Sequence, residues 1–382
     1  MKYRTHRIVR PLHRLAIGVF CIALGACSGH VTPIAPILST PNPAPAHAIV
    51  QLGLNTGVKP GLNVLLSVGG APNHRFLLDT GSTGLWVYPH AIGRYTATPY
   101  VVTNSYGSGL MYEGVLAYTT VDFGNGLVTQ KIPVALVRRA TCVSSATSCP
   151  ATPNQQNCPG VKPGPDAGIR CLEAGRKLFG TFGAALATIP VPSTKPVTEL
   201  YNVLFGIDQP WAASFVVTPS AIEVGPYSID GFKMIRMTLA SSPPARPIPS
   251  GARGWIKTVN LCFGVGALRN YCAATTFDTG AYNVEFLGPV KLPLVQTHCG
   301  ERVKSGTPFE MRSPDDTILE SFHAGEKANW NVVVNHPHGT RPKVNTGLTF
   351  YNRDEILFDA ANGRVGLQKL ATPGQISRNG CF

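Results

Sequence analysis

Short apolar segments separated by turns rich in glycine and proline run along the chain from residue 48 to its end. Most are too short for a helix, and several alternate apolar and polar residues, which is the pattern of half-buried strands. We expect strands at 63–68, 75–78, 111–123, 131–137, 179–186, 203–207, 220–225, 232–239, 255–263, 271–277, 331–335 and 356–367. Many short strands with few helices predict an all-β protein of barrel-like or sandwich architecture.

Two segments are not expected to form strands. The segment from Cys142 to Cys171 is rich in proline, glycine and cysteine, and we interpret it as a surface loop held by disulfides. One short helix is expected at 314–322. A chain of this length suggests two domains, and we place their boundary near residue 228, with an N-terminal lobe at 48–228 and a C-terminal lobe at 229–382.

The amino-acid composition argues against several classes of protein. Of 382 residues, 44% are hydrophobic and 14% are charged, and the apolar residues are spread throughout, which argues against intrinsic disorder. No apolar run reaches the ~20 residues needed to span a bilayer. The net charge is +13, but no basic run is interleaved with aromatic residues. We therefore interpret the charge as a solvated basic surface and expect no nucleic-acid partner.

The N-terminus predicts export. Residues 1–26 combine a basic start, an apolar core and small residues, as signal peptides do. Cys27 directly follows Leu-Gly-Ala, which resembles the bacterial lipoprotein signal, in which the cysteine is acylated and becomes the new N-terminus. The residue after this cysteine is Ser28 rather than an aspartate, and in lipoproteins of this kind that would imply anchoring in the outer membrane. The alternative is an ordinary signal peptide with an incidental cysteine. Residues 27–47 are rich in proline and alanine and predict an extended tether.

Eight cysteines remain once Cys21 in the signal and Cys27 are set aside. An even number in an exported chain favours disulfides, and the absence of a Cys-x-x-Cys pair argues against zinc. We expect two bridges in each half of the chain and leave the pairing within each half open. The candidates are Cys142, Cys149, Cys158, Cys171, Cys262, Cys272, Cys299 and Cys381.

A short motif occurs twice and carries the chemistry. FLLDTGSTGLWV at 76–87 and TTFDTGAYNVEFL at 275–287 each place Asp-Thr-Gly at the end of an apolar strand. One such motif is weak, because Asp-x-Gly is common in turns. Two in different halves of the chain indicate that Asp79 and Asp278 act together.

Two carboxyl groups brought close together share a proton, because ionising both is unfavourable. The ionised partner can accept a proton from water while the protonated partner donates to a carbonyl oxygen, which hydrolyses an amide without a covalent intermediate. Gly81 and Gly280 allow the two backbones to approach closely. The hydroxyls of Thr80 and Thr279 can tie each loop to the other half.

These features resemble the pepsin-like aspartic proteases over most of the chain after residue 48. The similar segments are DTGSTGLWV at 79–87, SYGSGLMYEGVLAYTTVDFG at 105–124, LFGTFGAAL at 178–186, WIKTVN at 255–260, VNTGLTF at 344–350 and ILFDAANGRVGLQ at 356–368. The resemblance implies an all-β bilobal fold, with two six-stranded-barrel-like lobes and an active-site cleft between them.

The resemblance also implies roles for residues around the pair. Tyr106 and Gly107 would belong to a flap hairpin over the cleft, with Tyr112 as the alternative flap tyrosine. Trp86 would lie beneath this hairpin, in the core or on the substrate side, with its indole N–H meeting the flap tyrosine. Gly183 and Gly347 would support the two aspartates. Ser82 would donate a hydrogen bond to Asp79.

The second motif departs from the family at Ala281, where most members carry threonine or serine. A missing hydroxyl would leave the carboxyl pair with one hydrogen bond fewer. We therefore expect the pair to keep its shared proton to a less acidic pH than is usual in the family.

The sequence thus predicts an aspartic endopeptidase that hydrolyses peptide bonds through water activated between Asp79 and Asp278. We expect no metal and no organic cofactor. The expected partners are a peptide or protein substrate and a membrane, reached through lipid on Cys27 at the outer membrane, and the protein is expected to be a monomer. The alternative is a non-catalytic envelope lipoprotein that uses the same fold to bind peptides or proteins.

Overall fold

A computed structural model describes residues 48–55, 61–143, 149, 151, 160–162, 164–191, 198–207, 214–240, 248–297, 300–327, 330–335 and 341–374. The predicted signal peptide, the tether with Cys27, and Cys158, Cys299 and Cys381 lie outside these residues, so what was expected of them stays a prediction. Within the described ranges, no helix combines the length and apolar character needed to cross a membrane.

The first half of the described chain consists almost entirely of strands. They are β1 (Ala48–Asn55), β2 (Gly61–Val68), β3 (His74–Asp79), β4 (Thr83–Val87), β5 (Thr96–Ser105), β6 (Leu110–Thr119), β7 (Val121–Asp122), β8 (Ile132–Cys142), β9 (Gly180–Ala184), β10 (Ile189–Val191), β11 (Thr198–Leu200), β12 (Ser214–Val217) and β13 (Ala221–Val224). Helix α1 (Ala167–Arg176) lies between β8 and β9, and Pro89–Ala91 and Val203–Gly206 form single 3₁₀ turns.

The second half continues in the same way. Its strands are β14 (Lys233–Arg236), β15 (Val259–Val265), β16 (Leu268–Thr276), β17 (Val284–Leu287), β18 (Leu294–Thr297), β19 (Gly300–Val303), β20 (Pro308–Arg312), β21 (Ile318–His323), β22 (Val332–Asn335), β23 (Lys343–Asn345), β24 (Asp354–Asp359) and β25 (Arg364–Lys369). A short helix, α2 (Gly347–Tyr351), separates β23 from β24. The all-β prediction is confirmed.

Two large sheets organise these strands. The first has 14 strands in the order β14-β25-β24-β12-β13-β1-β2-β3-β9-β4-β8-β6-β5, with β7 paired to β2. The second has nine, in the order β18-β19-β22-β17-β23-β16-β15-β20-β21. Strand β1 pairs with β13 through its first residues and with β2 through its last, so it connects two parts of the first sheet. The last strands of the chain therefore join a sheet built mainly from the first half.

The same local arrangement surrounds both Asp-Thr-Gly motifs. Strand β3, which ends at Asp79, runs parallel to β9, and β9 is antiparallel to β4. Strand β16, which leads into the second motif, runs parallel to β23, and β23 is antiparallel to β17. Asp79 lies opposite Gly183 in the first arrangement. Each aspartate thus follows a strand that is held in place by a later segment of the chain.

Three local expectations were wrong. Residues 203–206 form a 3₁₀ turn rather than a strand, because the Asn202 side chain accepts a hydrogen bond from the Leu204 N–H and starts the turn. Residues 314–322 form a turn and strand β21 rather than a helix, since the alternating side chains of β21 pair along β20. The expected surface loop at 142–171 runs into helix α1, which the cysteine and glycine content did not indicate.

Two of the expected disulfides are present in the described residues. Cys142 is bonded to Cys149, and Cys262 to Cys272 across the paired strands β15 and β16. Cys171 is also disulfide-bonded. Each described pair lies within one half of the chain, as the sequence predicted.

A buried ionic cluster connects the two sheets. Glu320 on β21 accepts hydrogen bonds from Arg353, at 3.0 Å from its Nε, and from Lys369 on β25, at 2.6 Å from its Nζ. The Arg353 guanidinium also lies 4.0 Å from the centre of the Trp330 ring. Asp354 is buried beside Glu320, and burial followed by repulsion from Glu320 raises its pKa to about 8. Removing one partner would leave an uncompensated buried charge, which is strongly destabilising.

This cluster predicts a pH dependence of stability. The pKa of Asp354 is raised from 3.8 to about 8, so the protonated form is favoured by folding. Its contribution to stability is complete below pH ~4 and is lost as the pH rises towards 8. We expect the free energy of unfolding, measured by urea titration, to fall less steeply between pH 5 and 8 in Asp354→Asn than in the parent. Asp230→Asn, at an exposed aspartate, should leave the slope unchanged. Equal slopes in the parent and Asp354→Asn would contradict the assignment.

Candidate active site

The two Asp-Thr-Gly loops meet each other. A Cβ placed on Gly81 would lie 2.5 Å from the Cγ of Asp278, and one placed on Gly280 would lie 2.9 Å from the Cγ of Asp79. Real Cβ atoms do not approach that closely, so each loop needs glycine where it passes the opposite carboxyl group. Asp79 and Asp278, predicted to act together from positions far apart in the sequence, are brought into one small space.

Reciprocal threonine hydrogen bonds hold the loops together. The Thr80 hydroxyl donates to the Phe277 carbonyl at 2.8 Å and accepts from the Thr279 N–H at 3.0 Å. In the mirrored arrangement, the Thr279 hydroxyl donates to the Leu78 carbonyl at 2.7 Å and accepts from the Thr80 N–H at 3.1 Å. All four bonds are buried, so they fix the two loops relative to each other without competition from water.

Tyr351 on α2 adds a contact that the sequence did not indicate. Its hydroxyl lies 2.7 Å from the Thr80 Oγ1. Because the Thr80 hydroxyl already donates to Phe277, the Tyr351 hydroxyl is the donor in this contact. The Thr80 oxygen thus uses all of its hydrogen-bonding capacity.

The carboxyl of Asp79 is poised to hold a proton. Burial, then the charge of Asp278, raises the pKa of Asp79 to about 8. The contact with the Asp278 carboxyl group also contributes to this raised pKa. The Ser82 hydroxyl and the charge of Lys257 act in the opposite direction and lower it. Asp79 also accepts a hydrogen bond from the Gly81 N–H at 2.9 Å.

Both carboxyl oxygens of Asp278 accept hydrogen bonds. Its Oδ1 accepts from the Gly280 N–H at 2.6 Å, which repeats the arrangement at Asp79. Its Oδ2 accepts from the Asn345 Nδ2 at 2.5 Å. Ala281 contributes its carbonyl to the Leu348 N–H and has no side-chain donor. The expectation that Asp278 lacks a hydrogen bond because of Ala281 is therefore wrong, since Asn345 supplies one from a neighbouring strand.

Lys257 lies beside the first loop. Its Nζ donates to the Gly81 carbonyl at 2.9 Å, and its side chain is exposed. The sequence did not single out this lysine, although it lies in the segment WIKTVN that resembles the protease family. Asn345 was missed for a similar reason: it lies in VNTGLTF, but nothing in that segment shows which side chain faces the carboxyl pair.

A hairpin made by β5 and β6 carries Tyr106 at its turn. The Tyr106 N–H donates to the Leu110 carbonyl, and its own carbonyl accepts from the Gly109 N–H, each at 2.9 Å. Burial raises the pKa of Tyr106, and the charge of Asp79 contributes to the shift. Gly107 is exposed, and a Cβ placed there would meet nothing within 4 Å. Tyr106 thus lies at the tip of the hairpin on the side of the carboxyl pair.

Tyr112 and Trp86 lie in the core beneath this tip. The Tyr112 hydroxyl lies 2.6 Å from the Tyr88 hydroxyl, and its ring centre lies 5.1 Å from that of Tyr106. Trp86 is 0% exposed and packs against Tyr112. Its indole N–H donates to the Thr83 carbonyl at 3.2 Å rather than to a tyrosine. Of the two places expected for Trp86, the core beneath the hairpin is the one observed, and the expectation that its indole N–H meets the flap tyrosine is wrong.

The glycines expected to support the aspartates are closely packed. A Cβ on Gly183 would lie 2.6 Å from the Thr83 backbone, and one on Gly347 would lie 2.2 Å from the Asn283 carbonyl oxygen. Gly347 also has φ +57, a conformation that favours glycine. Among the described residues, no group of three or more His, Cys, Asp or Glu side chains is arranged to bind a metal ion.

Comparisons with known proteins agree with this geometry. Residues 48–170 match the model of the PE-PGRS C-terminal aspartyl peptidase-like domain. The chain is 38% identical over 77 residues to PE cleavage protein A of Mycobacterium tuberculosis strains CDC 1551 and H37Rv. That alignment covers 19% of this chain and 14% of the relative, so the chain matches about a seventh of the relative's length.

The fold is similar to that of a solved enzyme. An aspartic proteinase from Irpex lacteus aligns with a TM-score of 0.51 and 16% identity, covering 87% of this chain and 100% of the neighbour. The all-β bilobal fold expected from the sequence is therefore present. The family model and the curated relative each match only part of the chain, and the solved neighbour is similar to it in fold.

The hydrogen bonds between the two threonine side chains and the opposite loops predict the effect of a substitution on stability. Thr279→Val keeps the shape of the side chain but removes the partner of the Leu78 carbonyl and of the Thr80 N–H. Each unsatisfied buried group costs about 1–3 kcal/mol, so we expect the free energy of unfolding to fall by roughly 2–4 kcal/mol in urea titrations. Thr96→Val, at an exposed threonine that contacts Lys131, should change it by less than about 0.5 kcal/mol. Equal stability of the two variants would show that the loops are held by other contacts.

Proposed function

We propose that this chain is an aspartic endopeptidase that hydrolyses peptide bonds through water activated between Asp79 and Asp278. The observation that carries the proposal is the meeting of two carboxyl groups, the buried Asp79 and the half-buried Asp278, whose surroundings are unequal. Burial and repulsion from Asp278 raise the pKa of Asp79 to about 8, whereas Asp278 accepts hydrogen bonds at both oxygens. Unequal carboxyl groups of this kind can act as an acid and a base at the same pH.

The roles in the reaction follow from that inequality. Asp79 carries the shared proton and donates it to the carbonyl oxygen of the scissile peptide bond. Asp278 is the ionised partner and takes a proton from water as the water attacks the carbonyl carbon. The product is a tetrahedral intermediate, and proton return to the amide nitrogen breaks the C–N bond. The threonine bonds keep both carboxyl groups in place throughout.

The substrate is proposed to be a peptide or protein bound in extended form. Tyr106 and Gly107 lie at the tip of the β5–β6 hairpin, where the open space next to Gly107 admits a backbone. An extended segment would bind largely through its main chain, as an added strand does. We propose Tyr106 as the residue that closes over it, with Tyr112 and Trp86 supporting the hairpin from the core.

The location of the enzyme is proposed from the sequence alone. Residues 1–26 would direct export, Cys27 would be acylated, and residues 27–47 would hold the lobes away from the outer membrane. The lobe boundary near residue 228 falls between β13 and β14. The enzyme is proposed to be a monomer without metal or cofactor.

The central test removes each acid separately. We expect Asp79→Asn and Asp278→Asn each to lower the rate of peptide hydrolysis by roughly 10²–10⁴-fold. The double variant should be no worse than either single one, because the two groups act as a unit. In the parent, activity should persist towards neutrality and decline near pH 8, where Asp79 loses its proton. Rates are measured with a peptide mixture whose fragments are identified by mass spectrometry.

Asp230→Asn, at an exposed aspartate, serves as the control and should retain the parent rate. Near-parent turnover in Asp278→Asn would refute the shared mechanism. A parent that binds peptides but leaves them intact at every pH from 3 to 8 would favour the alternative, a binding protein with the same fold.

The lipid anchor has its own test. When expressed in a bacterium with labelled palmitate, the parent should incorporate label and sediment with membranes, because the acyl chains insert into the bilayer. Cys27→Ser should carry no label and appear in the soluble fraction. Cys21→Ser, within the apolar core of the signal, should behave like the parent. Membrane retention of unlabelled Cys27→Ser would contradict the anchor.

A further inference from the structure

Asp278 receives a hydrogen bond whose donor is outside the Asp-Thr-Gly motif. Asn345, the last residue of β23, places its Nδ2 at 2.5 Å from the Asp278 Oδ2. Gly280 of the motif supplies the other bond, to Oδ1. Both oxygens of this carboxyl are therefore hydrogen-bonded, one by its own loop and one by the strand beside it.

The orientation of the Asn345 amide is fixed. Its Oδ1 accepts from the Gly347 N–H at 3.0 Å, and a backbone N–H can only donate. The amide oxygen must therefore face Gly347, and the NH₂ group must face Asp278. The backbone of Asn345 is held on both sides, opposite Thr276 of β16 and Glu285 of β17. Asn345 is thus placed by the same strands that carry the second motif.

In the first loop, a serine of the motif itself lies close in sequence to the aspartate. Ser82 lies three residues after Asp79, and its hydroxyl lowers the pKa of that carboxyl. Ala281 lies three residues after Asp278 and has no hydroxyl. The second loop therefore lacks the hydroxyl that the first loop has at this position, and the Asn345 amide reaches the carboxyl that Ala281 cannot serve.

We propose that Asn345 is a positioning residue that holds Asp278 as the ionised partner of the pair, in place of the hydroxyl missing at Ala281. The proposal rests on the proposed function and adds the reason why the two acids differ. A donor to an ionised carboxylate stabilises the ionised form. With Asn345 in place, the shared proton resides on Asp79, and Asp278 is left free to accept a proton from water.

Of the other charged and titratable groups around the pair, most lie on the side of Asp79. Lys257 donates to the Gly81 carbonyl and acts on Asp79. Tyr106 and Tyr112 lie on the Asp79 side, where that carboxyl contributes to their raised pKa values. Tyr351 donates its hydroxyl to Thr80, and the charges of Asp278 and Asp79 both contribute to its raised pKa. Asn345 is the side chain that donates to Asp278 among the hydrogen bonds of the described residues. A substitution of Asn345 should therefore act mainly on Asp278.

The experiment compares pH–rate profiles of kcat/KM for the parent, Asn345→Leu and Asn345→Leu/Ala281→Thr on one peptide substrate. Without the hydrogen bond from Asn345, the carboxyl pair should stay doubly protonated up to a higher pH. The pair is inactive in that form, because neither carboxyl group can then accept a proton from water. We expect the acidic limb of the profile to move up by about one to two pH units in Asn345→Leu. The alkaline limb, which reports loss of the proton from Asp79, should stay in place. Adding Ala281→Thr should move the acidic limb back, because its hydroxyl supplies a donor.

A matched control uses the same chemistry outside the cleft. Asn362 donates its amide to the Asp359 carboxyl at 3.0 Å, so Asn362→Leu removes an asparagine–aspartate bond of the same kind. The acidic limb of this variant should match that of the parent. Asn345→Ser, which also loses the bond but keeps a small polar side chain, is measured in parallel so that misfolding of the leucine variant does not decide the result.

The outcomes separate this proposal from the proposed function. An unmoved acidic limb in folded Asn345→Leu and Asn345→Ser would overturn the role of Asn345. If the parent hydrolyses no peptide, the proposed function fails, and the uptake of the second proton by the pair is then followed by NMR of ¹³C-labelled aspartate carboxyls. A shift of that uptake by about one to two pH units in Asn345→Leu would still support the positioning role, and an unchanged titration would overturn it.

Discussion

The close approach of two carboxyl groups, one buried and one half-buried, is the constraint on which the rest of this structure depends. Like charges at close range in a site of low dielectric repel strongly, so the pair is stable only if it retains a proton. The raised pKa of Asp79, to about 8, expresses this condition. Gly81 and Gly280 are required because any side chain at either position would push the carboxyl groups apart.

Holding the pair together needs rigid support from both halves of the chain. The threonine hydroxyls of the two loops exchange hydrogen bonds with the opposite backbone, and each loop follows a strand fixed by a later parallel strand. The buried cluster around Glu320 then connects the nine-stranded sheet to the 14-stranded sheet, which contains the first and last described strands. Repulsion between the two carboxyl groups is thus opposed by contacts from several elements of the described chain.

The near-symmetry of the two loops makes their differences informative. Tyr351 and Ser82 act on the first loop, whereas Asn345 acts on the second. Lys257 adds a positive charge on the side of Asp79. Two chemically identical aspartates therefore have different surroundings, and in the proposed mechanism this difference would let one serve as an acid and the other as a base. A symmetric site would have no such division of roles.

The sequence by itself determined the all-β class, about half of the described strands and the pairing of two Asp-Thr-Gly motifs, because alternation of apolar residues and turn chemistry are local properties. It failed at 203–207 and 314–322, where a capping side chain and a partner strand outweighed the local pattern. Only the tertiary structure decided that Trp86 is buried, that Tyr106 lies at the hairpin tip, and that Asn345 rather than Ala281 serves Asp278. Those facts depend on which side chains meet across residues distant in sequence, and such contacts leave no periodic signal in the chain.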